Sequence, residues 1–164
     1  MTMYRSGFTA LALAGALVSW SATQSTAQTL TIGVRAGPES IDPHFTATGT
    51  HAEALKHVFD SLTWSGDGLE IEPRLAESWK AVDNTTWEFK LRKGVKFHSG
   101  VNGFTPSRDF NADDVLWSFE RQWKAEHPYA KVSGGAYDYF NDMGMPDLLK
   151  SIEKIDDNTV KVTL

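Results

Sequence analysis

The chain has 164 residues, of which 41% are hydrophobic and 23% are charged, a composition that fits a globular domain and excludes a disordered chain or a coiled coil. Its formal net charge is −5, and no basic run could follow a phosphate backbone, so nucleic-acid binding is not expected. The absence of cysteine excludes disulfides, thiolate metal sites and cysteine nucleophiles.

Residues 1–27 have the pattern of a secretory signal peptide. Arg5 is the only charged residue of this segment, and an apolar run over residues 8–18 follows it. Small residues at Ser25 and Ala27 predict cleavage after Ala27. The apolar run is shorter than the roughly 20 residues that cross a bilayer, so we expect an exported, periplasmic protein rather than a membrane-anchored one.

The first elements predicted after the signal peptide are a strand and a helix. Leu30, Ile32 and Val34 recur at every second position, which is the period of a strand. Thr50, followed three residues later by Glu53, has the spacing of a capping box. The helix that this box predicts has an apolar stripe formed by Ala54, Leu55, Val58, Phe59 and Leu62.

A turn at residues 66–68, with the sequence Gly-Asp-Gly, precedes the clearest strand pattern in the chain. Residues 86–92 alternate between a polar face and an apolar face formed by Trp87, Phe89 and Leu91. Residues 95–97 predict a further short strand directly after it.

Residues 111–114, with the sequence Asn-Ala-Asp-Asp, are typical of a helix N-terminus. Asparagine caps free backbone N–H groups, and carboxylates in the first turn face the positive end of the helix dipole. The predicted helix has an apolar face formed by Val115, Leu116, Phe119 and Trp123, and it ends before His127 and Pro128.

The C-terminal part of the chain predicts a glycine loop, a short helix and a hairpin. Gly134 and Gly135 precede an aromatic cluster formed by Tyr137, Tyr139 and Phe140. Residues 146–149 predict a short helix, and residues 152–162 predict a β-hairpin with a turn at 156–158. The sequence stops within the second strand of this hairpin, so we expect a longer protein.

No arrangement of residues predicts catalysis or a metal site. His51 and His57 are six residues apart, whereas a zinc-binding helix places its histidines four apart on one face. Asp113 and Asp114 are adjacent and diverge on a helix, so helix capping explains them. No phosphate-binding glycine loop and no serine nucleophile motif occurs. We therefore expect no metal, no cofactor and no enzymatic activity.

Two places could contact a ligand. Thr48, Gly49 and Thr50 combine free backbone N–H groups with hydroxyls at the start of the first predicted helix, where they could hold a carboxylate or a peptide carbonyl. The loop with Gly134 brings a flexible backbone next to Tyr137. An ordinary helix cap explains the first place at least as well, and ordinary packing of the aromatic side chains is the favoured explanation for the second.

Residues 74–79 (RLAESW) and 87–98 (WEFKLRKGVKFH) resemble the signature of the periplasmic solute-binding proteins of the peptide/nickel group, which serve ABC importers. Residues 107–122 are similar to the helix that follows this signature. Residues 127–135 and 156–160 bring the resemblance closer to the dipeptide-binding branch.

This resemblance implies an α/β, periplasmic-binding-protein-like fold with two lobes that close on a ligand by a hinge. It assigns residues 28–48 to the first strand and loop of the main lobe, and 49–164 to the small extra α+β domain, truncated at its C-terminal end. It also implies a monomer that delivers dipeptides or short peptides to permease subunits in the inner membrane. The residues that hold the termini of a dipeptide in this family would lie beyond Leu164.

The family resemblance places one ligand-contacting loop in this chain, at Ala47, Thr48 and Gly49. The dipeptide branch commonly has Thr-Ser-Gly there, so a methyl group at Ala47 replaces a hydroxyl that faces the ligand. Nickel, haem, oligopeptides and sugars therefore stay open as ligands beside dipeptides.

Three alternatives to transport follow from the sequence. A secreted hydrolase would need a nucleophile and a base, and the sequence offers neither. A free-standing interaction domain would need a closed core and capped ends. A truncated remnant without function is the third alternative.

Overall fold

The structure is a computed structural model that describes residues 29–46, 48–66 and 68–164. The chain divides into two units, residues 1–33 and residues 34–164. The predicted signal peptide lies outside the described residues. All helices and strands named below belong to the second unit.

The strand predicted around Ile32 is wrong for this structure, because residues 29–34 form no helix or strand. The alternating residues are exposed, with 81% of Leu30, 68% of Ile32 and 62% of Val34 accessible to solvent. A strand exists only through hydrogen bonds to a neighbour, and no described strand pairs with this segment.

The second unit combines helices with antiparallel strands. Its helices are α1 Gly49–Leu55, α2 Ala112–Trp123, α3 Asp138–Asp142 and α4 Met145–Leu148. Its strands are β1 Thr63–Ser65, β2 Ile71–Pro73, β3 Ala76–Ala81, β4 Thr86–Leu91, β5 Ser151–Asp156 and β6 Thr159–Thr163. No helix in the described ranges is long and apolar enough to cross a membrane.

The main sheet has four antiparallel strands in the order β3-β4-β6-β5. Strand β4 lies in the interior of the sheet, where Phe89 stands opposite both Trp79 and Val160. The predicted strand over residues 86–92 and the predicted hairpin over residues 152–162 are thereby confirmed. Strands β1 and β2 form a separate hairpin.

The short strand predicted over residues 95–97 is wrong. Val95 instead accepts a hydrogen bond on its carbonyl from the N–H of Phe110, at 3.0 Å, and packs partly buried against the core. This contact holds the segment that precedes α2 against the sheet. An apolar pattern three residues long does not distinguish such a core-packed segment from a strand.

Helix α2 begins as its sequence predicts. The Asn111 side chain accepts from the N–H of Asp113, and the Asp114 side chain accepts from the N–H of Asn111, both at 2.9 Å. The helix packs on the sheet through the main hydrophobic core, which contains Leu91, Phe110, Ala112, Val115, Ile152 and Val160.

A second hydrophobic cluster lies under the helices α3 and α4. Its buried members are Tyr137, Phe140 and Leu149, and Phe119 and Trp123 of α2 pack against it. The predicted short helix over residues 146–149 is confirmed one residue earlier, as α4.

The capping box predicted at Thr50 is wrong, because α1 begins at Gly49 and its N-cap is Thr48, which makes no side-chain capping bond. The helix ends at Leu55, so the predicted apolar stripe does not continue along it, and 54% of Val58 is exposed. The buried face of α1 is instead formed by His51 and Leu55, four residues apart. The burial of a polar histidine explains why hydropathy misplaced this helix.

Candidate functional site

The residues predicted to contact a ligand near α1 are open to solvent. Thr48 and Gly49 are exposed, and apart from the adjacent residues and the backbone of α1 itself, no described atom lies within 4 Å of the position that a Cβ on Gly49 would occupy. Ala47 lies outside the described residues. Helix α1 has only seven residues, so its dipole contributes little on its own.

The other two predicted contact residues differ from each other in accessibility. Gly134 is exposed and has a φ of 90°, in the region that favours glycine. Tyr137 is only 4% exposed. Its hydroxyl donates to the carbonyl of Tyr129 at 3.1 Å and accepts from Nε and Nη2 of Arg121, both at 3.2 Å.

Arg121 of α2 is the charged residue at the centre of this buried region. It is 6% exposed and forms an ion pair from Nη2 to Oδ2 of Asp42. Its guanidinium lies 5.2 Å from the ring centre of Trp117 and 5.3 Å from that of Tyr137. Burial lowers the pKa of Arg121, but hydrogen bonds to Asp42 and Tyr137 outweigh this effect and raise it.

Asp42 organises the segment that precedes α1. Its carboxylate accepts from the N–H of His44 at 3.0 Å. Its carbonyl accepts from the N–H of Phe45 at 3.2 Å and from Nε2 of His51 at 3.1 Å. Asp42 therefore contacts residues on both sides of Thr48.

Two histidines line this region. His51 is 1% exposed, and because a carbonyl can only accept, its Nε2 carries the hydrogen in the contact with Asp42. The Nδ1 atoms of His44 and His51 are buried and have no hydrogen-bond partner in the described part of the chain. Burial lowers the pKa of His44, the charge of Arg121 lowers it further, and that of Asp42 opposes them.

We call Asp42, His51, Arg121 and Tyr137 the Arg121 cluster. It joins the two places that the sequence offered as ligand contacts, since Tyr137 lies at one end and His51, three residues after Thr48, at the other. Sequence reasoning missed Asp42, Arg121 and His51. One local signal existed, because Trp117 and Arg121 are four residues apart and therefore share a face of α2.

Two open clefts lie elsewhere in the second unit. One, of about 300 Å³, is lined by Trp64. Lys56 Nζ lies 4.7 Å and Arg74 Cζ 5.2 Å from the centre of the Trp64 ring. The other, of about 400 Å³, lies beside the turn of the β5–β6 hairpin. No group of three or more metal-ligating side chains occurs within the described ranges.

The chain matches known proteins over most of its length. A family model described as bacterial extracellular solute-binding proteins, family 5, matches residues 70–164. Heme-binding protein A of Haemophilus influenzae is 45% identical over 94% of this chain and 30% of its own length. The dipeptide-binding protein of Escherichia coli is 40% identical over 100% of this chain and 31% of its own length.

The solved structures that resemble this chain are also solute-binding proteins. A dipeptide-binding protein from Pseudoalteromonas, in complex with Met-Leu, matches 79% of this chain and 26% of its own chain, with a TM-score of 0.73 and 36% identity. An ABC-transporter-associated periplasmic binding protein from Helicobacter pylori, in complex with a peptide, matches 79% of this chain and 25% of its own, with a TM-score of 0.71 and 39% identity.

The fold is therefore part of a periplasmic-binding-protein-like fold, and the matched family consists of solute-binding proteins. The chain belongs to the family 5 bacterial extracellular solute-binding proteins. It spans about a third of the length of these two curated relatives.

Proposed function

We propose that this chain is part of the solute-binding component of an ABC importer for dipeptides or short peptides. The family match carries the proposal, and the dipeptide-binding names of the relative from Escherichia coli and of the structure from Pseudoalteromonas support it. The partners would be the peptide ligand and permease subunits in the inner membrane. The protein would act as a monomer in the periplasm, after export through residues 1–27, and would have no enzymatic activity.

In this proposal, residues 28–48 belong to the main lobe and residues 49–164 to the small extra domain. The exposed Thr48 and Gly49 would meet the backbone of the ligand, together with Ala47. A peptide receptor that tolerates many side chains must bind the backbone and the termini of its ligand, and hydroxyl and N–H groups suit this task. Gly134 stays a proposed contact, whereas Tyr137 is assigned a different role below.

Haem is the alternative ligand that a specific observation favours. The relative from Haemophilus influenzae, which carries haem in its name, is 45% identical to this chain, against 40% for the dipeptide-binding relative.

The first experiment is the intact mass of the native product in a periplasmic extract. A mass several times the 18.2 kDa of this chain supports a complete receptor, whereas a mass that matches residues 28–164 favours a truncated remnant. Calorimetric titration of the native product with Met-Leu then tests peptide binding. The outcome that would favour haem as the ligand instead of a peptide is a shift of the haem absorption band on titration with haemin, together with no heat on titration with Met-Leu.

A further inference from the structure

Within the described residues, no side-chain hydrogen bond holds Thr48 or Gly49 in place. The Thr48 side chain makes no capping bond, and the space around Gly49 is open. The backbone of Thr48 only begins the helix, by accepting from the N–H of Ala52 at 2.9 Å. The position of both residues must therefore be set by the segments that flank them.

Both flanking segments meet at Asp42. On the N-terminal side, the Asp42 carboxylate and carbonyl accept from the N–H groups of His44 and Phe45. On the C-terminal side, the buried His51 donates to the Asp42 carbonyl, and its ring centre lies 6.2 Å from that of Phe45. A contact that holds Asp42 in place therefore also holds the residues on both sides of Thr48 and Gly49, which are His44 and Phe45 before them and His51 after them.

Arg121 fixes Asp42 to the body of the second unit. The pair joins positions 79 residues apart, and both side chains are 7% exposed. The Tyr137 hydroxyl, which donates to the Tyr129 carbonyl, accepts from Nε of Arg121 and from the same Nη2 that pairs with Asp42. Because a buried charge without its partner is strongly unfavourable, this pair has little freedom to separate.

We propose that Arg121 is a positioning residue for ligand binding. Through Asp42 and His51 it holds Thr48 and Gly49 in the geometry that receives the backbone of a ligand. Tyr137 acts by orienting Arg121 rather than by touching the ligand. This inference rests on the proposed function, in which Thr48 and Gly49 contact the solute.

If the Arg121–Asp42 ion pair only stabilised the fold, its removal would change amide hydrogen exchange differently from the loss of a positioning residue. If the cluster only stabilised the fold, its loss would weaken the hydrogen bonds of the sheet as much as those near Thr48. A positioning role requires a local effect, in which the hydrogen-bonded amides of His44, Phe45 and Ala52 open while those of β4 and β6 stay protected. Amide hydrogen exchange separates the two cases without any ligand.

The test compares Arg121→Met, Arg121→Lys and Tyr137→Phe with Arg108→Met. The control residue Arg108 also pairs with a carboxylate, Asp114, from Nη1 at 2.7 Å, but this pair is exposed and lies outside the cluster. In Arg121→Met we expect amide exchange at His44, Phe45 and Ala52 to be about tenfold faster or more, with little change in the sheet. Arg121→Lys restores part of the protection because it keeps the charge.

Tyr137→Phe removes one hydroxyl, so it provides a mild second test that does not depend on the folding of Arg121→Met. We expect faster exchange at His44, Phe45 and Ala52 there as well, by a smaller factor. Unchanged exchange at these residues in both variants would overturn the proposal. So would an equal acceleration across the whole unit.

The ligand arm uses the native product and Met-Leu. We expect Arg121→Met to weaken binding by about tenfold or more, with Arg121→Lys intermediate and Arg108→Met equal to the wild type. Equal affinity of Arg121→Met and the wild type would contradict the positioning role. If the wild type itself does not bind Met-Leu while the local exchange effect is present, the peptide assignment fails, and Arg121 still orders Thr48 and Gly49.

Discussion

At the scale of single residues, His44 is the group in this region whose charge depends most directly on pH. Burial and the neighbouring charge of Arg121 hold its pKa below 6.5, against the opposing charge of Asp42. The unfolded chain, in which histidine titrates near 6.5, therefore binds more protons than the folded chain just below that pH. The free energy of unfolding must fall as the pH drops from 6.5 toward the lower, folded-state pKa.

We predict that His44→Gln removes this part of the pH dependence. The measurement is urea unfolding of the wild type and the variant at about pH 7.5 and about pH 5.5. The matched control is His57→Gln, which replaces an exposed histidine. If the wild type and His44→Gln lose the same free energy between the two values, His44 does not carry the effect.

The Arg121 cluster shows what sequence reasoning could and could not find at this scale. No local pattern in the sequence pairs Asp42 with Arg121. Their pairing across 79 positions depends on the tertiary fold, which no local pattern contains. Tyr137 was singled out from the sequence, but its buried hydroxyl bonds to protein groups.

At the scale of elements, helix α2 depends on an N-terminal cap that the sequence of residues 111–114 predicts. Asn111 and Asp114 satisfy each other's backbone N–H groups and those of the first turn. We predict that Asn111→Ala lowers the free energy of unfolding by about 1 kcal/mol. Asn84→Ala, at an exposed position in the loop between β3 and β4, is the control and should change little. Equal effects of both changes, measured by urea unfolding, would contradict this assignment.

Two adjacent leucines at the end of α4 provide a second test. Leu149 is 2% exposed within the second hydrophobic cluster, whereas Leu148 is 52% exposed. We predict that Leu149→Ala lowers the free energy of unfolding by about 2–5 kcal/mol, as measured by urea unfolding, because it removes buried apolar surface and leaves a cavity. Leu148→Ala should cost within about 0.5 kcal/mol. A larger loss for Leu148→Ala would show that the packing of α4 is misassigned.

The elements that sequence patterns predicted correctly have local signals of their own. Strand β4 has a two-residue alternation, α2 has its cap, and the β5–β6 hairpin has a polar turn. Strand β3, with the sequence AESWKA, has no alternation and becomes a strand through its pairing with β4. Helix α1 was predicted too long, because the apolar spacing continues past its end at Leu55 and does not include His51, which shares the buried face with Leu55.

At the scale of the whole molecule, the chain contains a sheet with its packed helices but only part of the family's fold. It spans 30% and 31% of the two curated relatives, and 26% of the receptor solved with Met-Leu. The resemblance read from residues 74–79 and 87–98 gave the family correctly, because those blocks lie within the segment that the family model matches. These blocks do not identify the ligand, because this segment is shared by relatives whose names give different ligands, haem and dipeptides.

The last prediction concerns peptide binding by this chain alone. Charge-assisted hydrogen bonds hold a peptide firmly only where water is excluded from the cleft. In the described residues, Thr48 and Gly49 face open solvent, so a peptide bound there would compete with water at every contact. We expect the purified 164-residue chain to show little or no heat with Met-Leu in calorimetry, whereas a longer native receptor binds it. Micromolar binding by the 164-residue chain would contradict this expectation, and would mean that these residues form a sufficient binding surface on their own.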